Sequence, residues 1–167
     1  MWLLPVSLIM AALLALVSSL YALAVTRVPV MRTPRAHLEV IVHQAALAPG
    51  QVVVDAGCGD GRTLVALCAG EGVRGRGYEL NGPVWLAGLM RVLFRRGVRS
   101  RVRVYWRDFF RCELEDVDVV YCFLMPASMV RVAEKCSDEM RAGSMLLSYL
   151  WEVPGWTPER TVQIGGR

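Results

Sequence analysis

The sequence predicts a doubly wound α/β domain with a mostly parallel sheet, preceded by one N-terminal transmembrane helix. Three observations support this prediction. Residues 2–25 are apolar and uncharged, a valine-rich strand over 51–56 leads into a glycine-rich turn, and strand and helix patterns alternate from there to residue 150. Strands separated by single helices indicate βαβ units with right-handed crossovers, and therefore a parallel sheet.

The N-terminal apolar segment is long enough to span a bilayer as a helix, so we expect a membrane anchor over residues 1–26. A cleaved signal peptide is the rival interpretation because Ala22-Leu23-Ala24 resembles a cleavage site, but no lysine or arginine precedes the apolar run. A soluble buried helix would show a polar stripe, and only three serines are available to form one. Arginines follow the segment, so the positive-inside rule predicts that the domain of residues 27–167 faces the cytoplasm.

Composition argues against a disulfide framework and a metal site. The five cysteines are odd in number and lack a C-x-x-C pair, so we expect small buried apolar residues in a reducing compartment. His37 and His43 are six residues apart, which is not ligand spacing on a helix, so we expect ordinary surface or interface residues and no metal. Seven arginines within residues 91–107 fit nucleic acid, anionic lipid headgroups or a solvated helix end.

The elements after the anchor are predicted from turn residues and apolar runs. Thr33 is a good N-cap, and Pro34 fits the first position of a helix that runs to about Ala48. Further helices are expected over 61–70, over 83–96 and from about residue 127. Strands are expected over 51–56, 74–79, 102–106, 117–122 and 144–150.

The glycine-rich turn after the first strand indicates a ligand site. Asp55 precedes Gly57, Gly59 and Gly61, a spacing one residue shorter than a dinucleotide fingerprint. A carboxylate at this point repels a pyrophosphate and attracts an ammonium or sulfonium group. The turn also lacks the lysine and hydroxyl residue that a triphosphate site needs. A positively charged ligand head is therefore expected here.

Acidic residues close the next two strands as well. Glu79 ends the second strand, where an acid can accept both hydroxyls of a ribose. Asp108 and Phe109 follow the third, where a carboxylate can take an exocyclic amine and a ring can stack on a base. Each acid alone is explained equally well as a helix cap or turn residue. Together, in this order, they predict a ligand with an amino-acid head, a ribose and an adenine, which is S-adenosylmethionine.

With these residues the chain resembles the class I, seven-stranded S-adenosylmethionine-dependent methyltransferases over about residues 28–164, and Val53–Gly61 looks like their first motif. It also resembles a small family of protein-lysine N-methyltransferases within that class, which includes mitochondrial enzymes acting on the ATP-synthase c subunit and on the adenine nucleotide translocator, and a broad-specificity archaeal relative. The segments that carry this second likeness are Val28-Pro29, Thr33-Pro34, Asp60-Gly61-Arg62, Gly77-Tyr78-Glu79-Leu80-Asn81, Phe123-Leu124-Met125-Pro126 and Gly155-Trp156-Thr157-Pro158.

The resemblance implies a Rossmann-like methyltransferase fold, S-adenosylmethionine as cofactor and a lysine side chain as acceptor, on a protein that could lie in or near a membrane. It adds several cofactor-binding residues to those already named: Thr33, Cys58, Asp60, Leu80 and Asn81. The family closes its sheet with two further strands. Residues 160–164 can form one of them, and we expect the last strand to be absent, which would leave backbone at the sheet edge unpaired or completed by a partner.

The acceptor site is expected at the ends of the fourth and fifth strands. Its candidate wall residues are Phe123, Leu124, Tyr149, Trp151 and Glu152. Apolar surroundings lower the pKa of a lysine ammonium, aromatic faces can hold the cation, and Glu152 can steer it or take its proton through water. Core packing around the strand ends explains the same residues equally well.

Three functions remain open on the sequence alone. The fourth strand ends in Phe123-Leu124-Met125-Pro126, which has no polar side chain to hold an amide, so methylation of a nucleic-acid base is disfavoured. A protein-lysine methyltransferase is the first prediction. A lipid or quinone methyltransferase is the second, although no histidine stands at a strand end to serve as its base. A non-catalytic module that binds the cofactor or a partner is the third.

Overall fold

A five-stranded parallel sheet forms the centre of the domain in the computed structural model, which describes residues 3–26 and 31–165. The helices are α1 (Leu3–Thr26), α2 (Arg35–Ala45), α3 (Arg62–Leu67), α4 (Gly82–Leu93) and α5 (Pro126–Glu139). The strands are β1 (Val52–Ala56), β2 (Arg74–Glu79), β3 (Val102–Trp106), β4 (Val119–Cys122) and β5 (Met145–Ser148), with a 3-10 helix over Phe109–Arg111. The strand order is β3-β2-β1-β4-β5, and every neighbouring pair is parallel.

Helices cover both faces of the sheet because successive strand side chains point to opposite sides. Val53 of β1 faces a buried cluster with Ile41 of α2 and Leu64 of α3. Its neighbour Val54 faces a second cluster that includes Met129 of α5. All five residues of β1 are buried, as three consecutive valines predict. The doubly wound α/β fold predicted from the sequence is therefore confirmed.

Local structure differs from the prediction at both ends of α2 and after β5. Thr33 does not cap α2: Pro34, with an extended backbone, takes the N-cap position, and the helix ends at Ala45 because Ala46 is left-handed with φ 43°. Residues 160–164 form no strand, so β5 stands at the edge of the sheet as far as residue 165. A strand forms only where a neighbour satisfies its backbone, and residues 160–164 do not pair with β5.

The α1 helix contacts the start of α4 through one of its serines, Ser18. The Gly82 backbone N–H donates to Ser18 Oγ at 2.7 Å. Large apolar side chains between residues 6 and 21 are 50–70% exposed. Over residues 3–26 and 31–165, no helix combines the length and apolarity needed to cross a bilayer, so the predicted transmembrane helix is not supported. The predicted domain boundary and Val28-Pro29 fall on residues 27–30, outside the described residues.

Several members of the arginine cluster stabilise loops instead of forming one exposed patch. Arg91 donates to the Asp60 carbonyl and carboxylate. Arg101 donates to three backbone carbonyls, those of Gly70, Val73 and Gly97. The five cysteines are all buried and free, as the sequence predicts.

The one lysine of the chain, Lys135 in α5, is buried. Its side chain is 7% exposed and donates to both carboxylate oxygens of Glu139, at 2.6 and 2.7 Å. It also donates to the Cys112 carbonyl at 2.5 Å. Three acceptors therefore satisfy the ammonium away from water.

Candidate functional site

The glycine-rich turn after β1 adopts backbone conformations that favour glycine. Gly57, Gly59 and Gly61 have φ values of 81°, 57° and 72°. A Cβ on Gly57 would lie 2.9 Å from Leu124 Cδ2, so a larger residue would have to displace this side chain as well as adopt a positive φ. The Gly57 N–H donates to the Tyr78 carbonyl at 3.0 Å, which ties the turn to β2. The turn therefore brings backbone close to the carboxyl ends of β1 and β2.

Asp55 lies at the centre of this region as a buried carboxyl group. It is 2% exposed, and its Oδ2 has no hydrogen-bond partner in the described part of the chain. Burial, followed by the charges of Glu79 and Asp60, raises the pKa of Asp55 to about 8. A buried acceptor without a hydrogen-bond partner costs free energy. Such a group, with a shifted pKa, is typical of a ligand-binding site.

Glu79 bridges the glycine turn and the loop that follows β2. Its Oε2 accepts the Gly59 N–H at 3.0 Å, and its Oε1 accepts the Asn81 N–H at 2.7 Å. Burial raises the pKa of Glu79, although hydrogen bonds from the backbone, that of Asn81 first, oppose the shift. Each carboxylate oxygen has two acceptor positions, so both can still receive a hydroxyl. The predicted role towards a ribose is compatible with this geometry.

The carboxylate of Asp60 is held by one arginine from α3 and one from α4. Its Oδ2 lies 2.9 Å from Arg62 Nη2 and 3.0 Å from Arg91 Nη2. Burial raises the pKa of Asp60, but the Arg62 hydrogen bond and the charges of Arg91 and Arg62 outweigh it and lower the pKa overall. Asp60 therefore links the turn to α3 and α4, whereas the resemblance implies a contact with cofactor.

The candidate residues after β2 and β3 cap helices or enter the core. Asn81 accepts the Val84 N–H at 3.3 Å and caps α4, and the Leu80 carbonyl accepts from Trp106 Nε1 at 2.8 Å. Asp108 accepts the Phe110 N–H at 3.0 Å and caps the 3-10 helix. This contact of Asp108 is the one expected if the residue acts as a helix cap.

Phe109 contributes to the core. It is 5% exposed, and its ring meets the Tyr78 ring edge-on with centroids 6.4 Å apart. The predicted stacking of Phe109 on a base would require an open ring face, which this packing restricts.

A cavity beside Asp55 joins the cofactor residues to the acceptor side. Its lining residues include Thr33, Asp55, Gly57, Cys58, Gly59, Asp60, Tyr121 and Phe123. Thr33 is 4% exposed, and its hydroxyl lies 2.9 Å from the Tyr121 hydroxyl of β4. The segment before α2 therefore closes one wall of the cavity.

The five candidate acceptor residues divide between the two faces of the sheet. Phe123 and Tyr149 pack on the α2 side and meet edge-on, with ring centroids 4.8 Å apart. Leu124 and Trp151 pack on the α5 side, and Glu152 is exposed. Of the five, Phe123 and Tyr149 form a pair, and Phe123 lines the cavity beside Asp55.

His37 is a neighbour of this pair that the sequence did not indicate. Its Nδ1 lies 2.6 Å from the Tyr149 hydroxyl, although 112 residues separate them. Of the two expected settings, surface or interface, His37 has the second, since its ring is half-buried and bonded to a strand end. No local sequence pattern could reveal this contact, because the two residues come together only when the chain folds.

Comparison with known proteins gives a consistent result. Residues 55–160 match the family described as the ANTKMT methyltransferase domain. A protein-lysine N-methyltransferase of Saccharolobus islandicus is 26% identical over 141 residues, which cover 84% of this chain and 87% of the relative. The adenine nucleotide translocase lysine N-methyltransferase of Mus musculus is 35% identical over 70% of this chain, and the match covers 50% of that relative.

An ATP synthase lysine N-methyltransferase of Xenopus laevis is 32% identical over 65% of this chain, and the match covers 47% of the frog protein. The chain thus spans about half the length of these vertebrate relatives. Among solved structures, an RNA methyltransferase of Salinibacter ruber with bound S-adenosyl-L-homocysteine has a TM-score of 0.75 at 23% identity, covering 80% of this chain and 87% of that one. This last likeness concerns the fold alone.

Proposed function

The chain belongs to the ANTKMT methyltransferase domain family, and on that premise we propose that it is an S-adenosylmethionine-dependent protein-lysine N-methyltransferase. The observation that carries the proposal is the unpartnered Oδ2 of Asp55, buried beside the glycine turn. A ligand ammonium there would satisfy this acceptor and favour the ionised carboxyl group. The names of the relatives, three of them lysine N-methyltransferases, support the choice of acceptor.

The residues present fit the cofactor at two further points. Gly57 and Gly59 have no Cβ to block a ligand over the turn, and Glu79 retains acceptor positions for ribose hydroxyls. When bound, the cofactor supplies a methyl group on a positively charged sulfur. The protein then has to hold an amine near that methyl group and keep water out, since positioning accounts for much of such a reaction.

The acceptor amine is expected at Phe123 and Tyr149. A lysine ammonium has no lone pair, so it must lose a proton before it can accept a methyl group. The two rings form a largely apolar corner, and such surroundings disfavour the charged form of an amine. Aromatic faces also attract the ammonium before deprotonation.

The direct test uses the full chain, methyl-labelled cofactor, and poly-L-lysine or a lysine-rich protein as acceptor. We expect label on lysine Nζ by mass spectrometry, and loss of both cofactor binding and labelling in Asp55→Asn. Label found only in added lipid extracts would instead indicate a lipid or quinone methyltransferase. Calorimetry showing no binding of S-adenosylmethionine to the wild-type chain would indicate a non-catalytic module.

We further propose that α1 holds the domain at a membrane, with the domain on the cytoplasmic side, where it would meet membrane-protein lysines. Support comes from the exposed apolar side chains of α1 and from an adjacent apolar stripe on α4. That stripe comprises Leu86, Met90, Leu93 and Phe94, which are 42–77% exposed. Burying these side chains in acyl chains would remove them from water. In a flotation assay with phospholipid vesicles the full chain should float, whereas a chain that stays in the aqueous layer would contradict the proposal.

A further inference from the structure

The hydrogen bond between His37 and Tyr149 lies beside the corner that Phe123 and Tyr149 form, where the acceptor amine is expected. Tyr149 follows β5 directly, and its N–H donates to the Cys122 carbonyl of β4 at 2.9 Å. Its ring meets Phe123, which lines the cavity beside Asp55. The Tyr149 side chain therefore lies next to the wall residue Phe123, at the strand end where an acceptor amine is expected.

A strained turn follows Tyr149. The next residue, Leu150, has φ 78°, a left-handed conformation that is costly for a residue other than glycine. The Ser148 hydroxyl donates to the Trp151 carbonyl at 2.5 Å and closes the turn around it. Strained conformations persist where surrounding contacts impose them, and they cluster at functional sites. The turn holds the Tyr149 ring against Phe123 and its hydroxyl towards α2.

His37 reaches the Tyr149 hydroxyl from α2, where its backbone is held in place. It lies in the first turn of α2, where its N–H donates to the Pro34 carbonyl at 3.0 Å. Its ring is tilted by 55° to the Tyr149 ring, with centroids 5.9 Å apart, and its Nδ1 lies 2.6 Å from the hydroxyl. When Nδ1 accepts the tyrosine proton, both lone pairs of the Tyr149 oxygen remain free for an amine N–H.

We propose that Tyr149 and His37 form a proton-transfer pair for the acceptor lysine, an inference that rests on the proposed function. The lysine ammonium gives one proton to the Tyr149 oxygen while the tyrosine proton passes to His37 Nδ1. The amine keeps the electron pair of the broken N–H bond, and the imidazolium then gives a ring proton to water. Tyr149 is the catalytic residue because it touches the amine, and His37 acts through it.

The surroundings of Tyr149 favour passing its proton to His37 over releasing it directly to water. Burial raises the pKa of Tyr149, so the hydroxyl is a poor acid and a lasting tyrosinate is disfavoured. The neighbouring titratable group from β4 is Tyr121, whose hydroxyl is bonded to Thr33. His37 is half-buried, which leaves the ring a route to water for the final proton.

The kinetic test uses full-length variants with S-adenosylmethionine and poly-L-lysine. We expect Tyr149→Phe, which keeps the ring contact with Phe123, to lower kcat by about 10²-fold while the KM for the acceptor changes little. His37→Asn can still accept the tyrosine hydrogen bond but cannot carry the proton, so it should lower kcat to a similar extent. The double variant should be no slower than Tyr149→Phe, because residues of one relay are not additive.

The other histidine supplies a matched control. His43 is exposed and hydrogen-bonds Gln44, so His43→Gln should keep the wild-type kcat. Because the chain has two histidines, NMR gives a second readout that needs no activity. Tyr149→Phe should shift the imidazole signals of His37 and leave those of His43 in place.

The outcomes separate this inference from the proposed function. A wild-type chain that binds the cofactor but methylates no lysine would overturn both. An active wild type with full kcat in either Tyr149→Phe or His37→Asn would overturn the proton-transfer pair alone. Unchanged His37 signals in Tyr149→Phe would show that the 2.6 Å contact does not exist in solution, and would also overturn the pair.

Discussion

Gly88 of α4 packs against the carbonyl oxygen of Gly59 in the glycine turn. A Cβ built on Gly88 would lie 3.0 Å from that oxygen and 3.4 Å from the Gly61 nitrogen. One turn of helix later, Arg91 donates to the Asp60 carbonyl at 2.7 Å. The helix face with Gly88 and Arg91 therefore supports the turn from behind, and the shape of the cofactor site depends on how closely α4 approaches.

Gly88→Ala should push α4 away from the turn. Alanine gains about 1 kcal/mol of helix propensity over glycine, but overpacking typically costs about 1–3 kcal/mol, so we expect a small net loss of stability. Cofactor affinity should fall by about tenfold, equivalent to about 1.4 kcal/mol. Calorimetry with S-adenosylmethionine and urea unfolding would measure the two effects. Gly97→Ala, where a Cβ would meet nothing within 4 Å, is the control and should bind normally.

Arg91→Gln should weaken the fold in a pH-dependent way. Removing a hydrogen-bonding charge from a buried carboxylate costs about 1.5–3 kcal/mol, at the lower end here because the Arg91 side chain is 32% exposed. The folded-state pKa of Asp60 is below its usual value, so this stabilisation is complete at neutral pH and is lost as the pH falls below about 4. Urea unfolding at pH 7 and pH 3 should show a smaller difference from wild type at the lower pH. An equal difference at both would contradict the assignment.

Asp55 should make the unliganded protein less stable as the pH rises. Its pKa is about 8 in the folded state and about 3.9 when unfolded, so between these values the folded state binds more protons and stability falls with increasing pH. Asp55→Asn cannot titrate, so the stability difference between wild type and variant should change by at least about 1 kcal/mol between pH 5 and pH 8. Urea unfolding across this range measures it. A constant difference would mean that Asp55 ionises normally.

Thr33→Val should test the buried contact between the segment before α2 and β4. The substitution keeps the shape but leaves the Tyr121 hydroxyl without its partner at 2.9 Å, which costs about 1–3 kcal/mol. Thr33→Ser should retain most of the stability. In a double-mutant cycle, adding Tyr121→Phe to Thr33→Val should recover part of the loss, because no buried hydroxyl then remains unpaired. Additive losses would contradict a direct hydrogen bond.

Much of the fold was predictable because local signals and tertiary structure agree. The predicted strands over 74–79 and 102–106 have the observed bounds of β2 and β3. The glycines of the turn predicted its positive φ values, because glycine adopts them without strain. The strand-helix alternation then dictated a parallel sheet with both faces covered.

The contacts that define the site were harder to predict because they depend on distant residues. Thr33 has the sequence signature of a helix cap, yet its hydroxyl is used by Tyr121, 88 residues away. Asp60 belongs to a ligand-binding motif, yet Arg62 and Arg91 occupy its carboxylate. His37 has no periodic signal at all. In each case side-chain polarity was visible in the sequence, but the partner was decided by packing between elements.

The burial of Lys135 has a practical consequence for enzymology. Self-methylation often contributes background label in assays of lysine methyltransferases, and it requires an accessible lysine with a free lone pair. Here the one lysine side chain is enclosed by Glu139 and the Cys112 carbonyl. Methyl groups found on lysine after incubation with cofactor will therefore have come from the added acceptor, so even a slow reaction with a poor acceptor can be measured against a low blank.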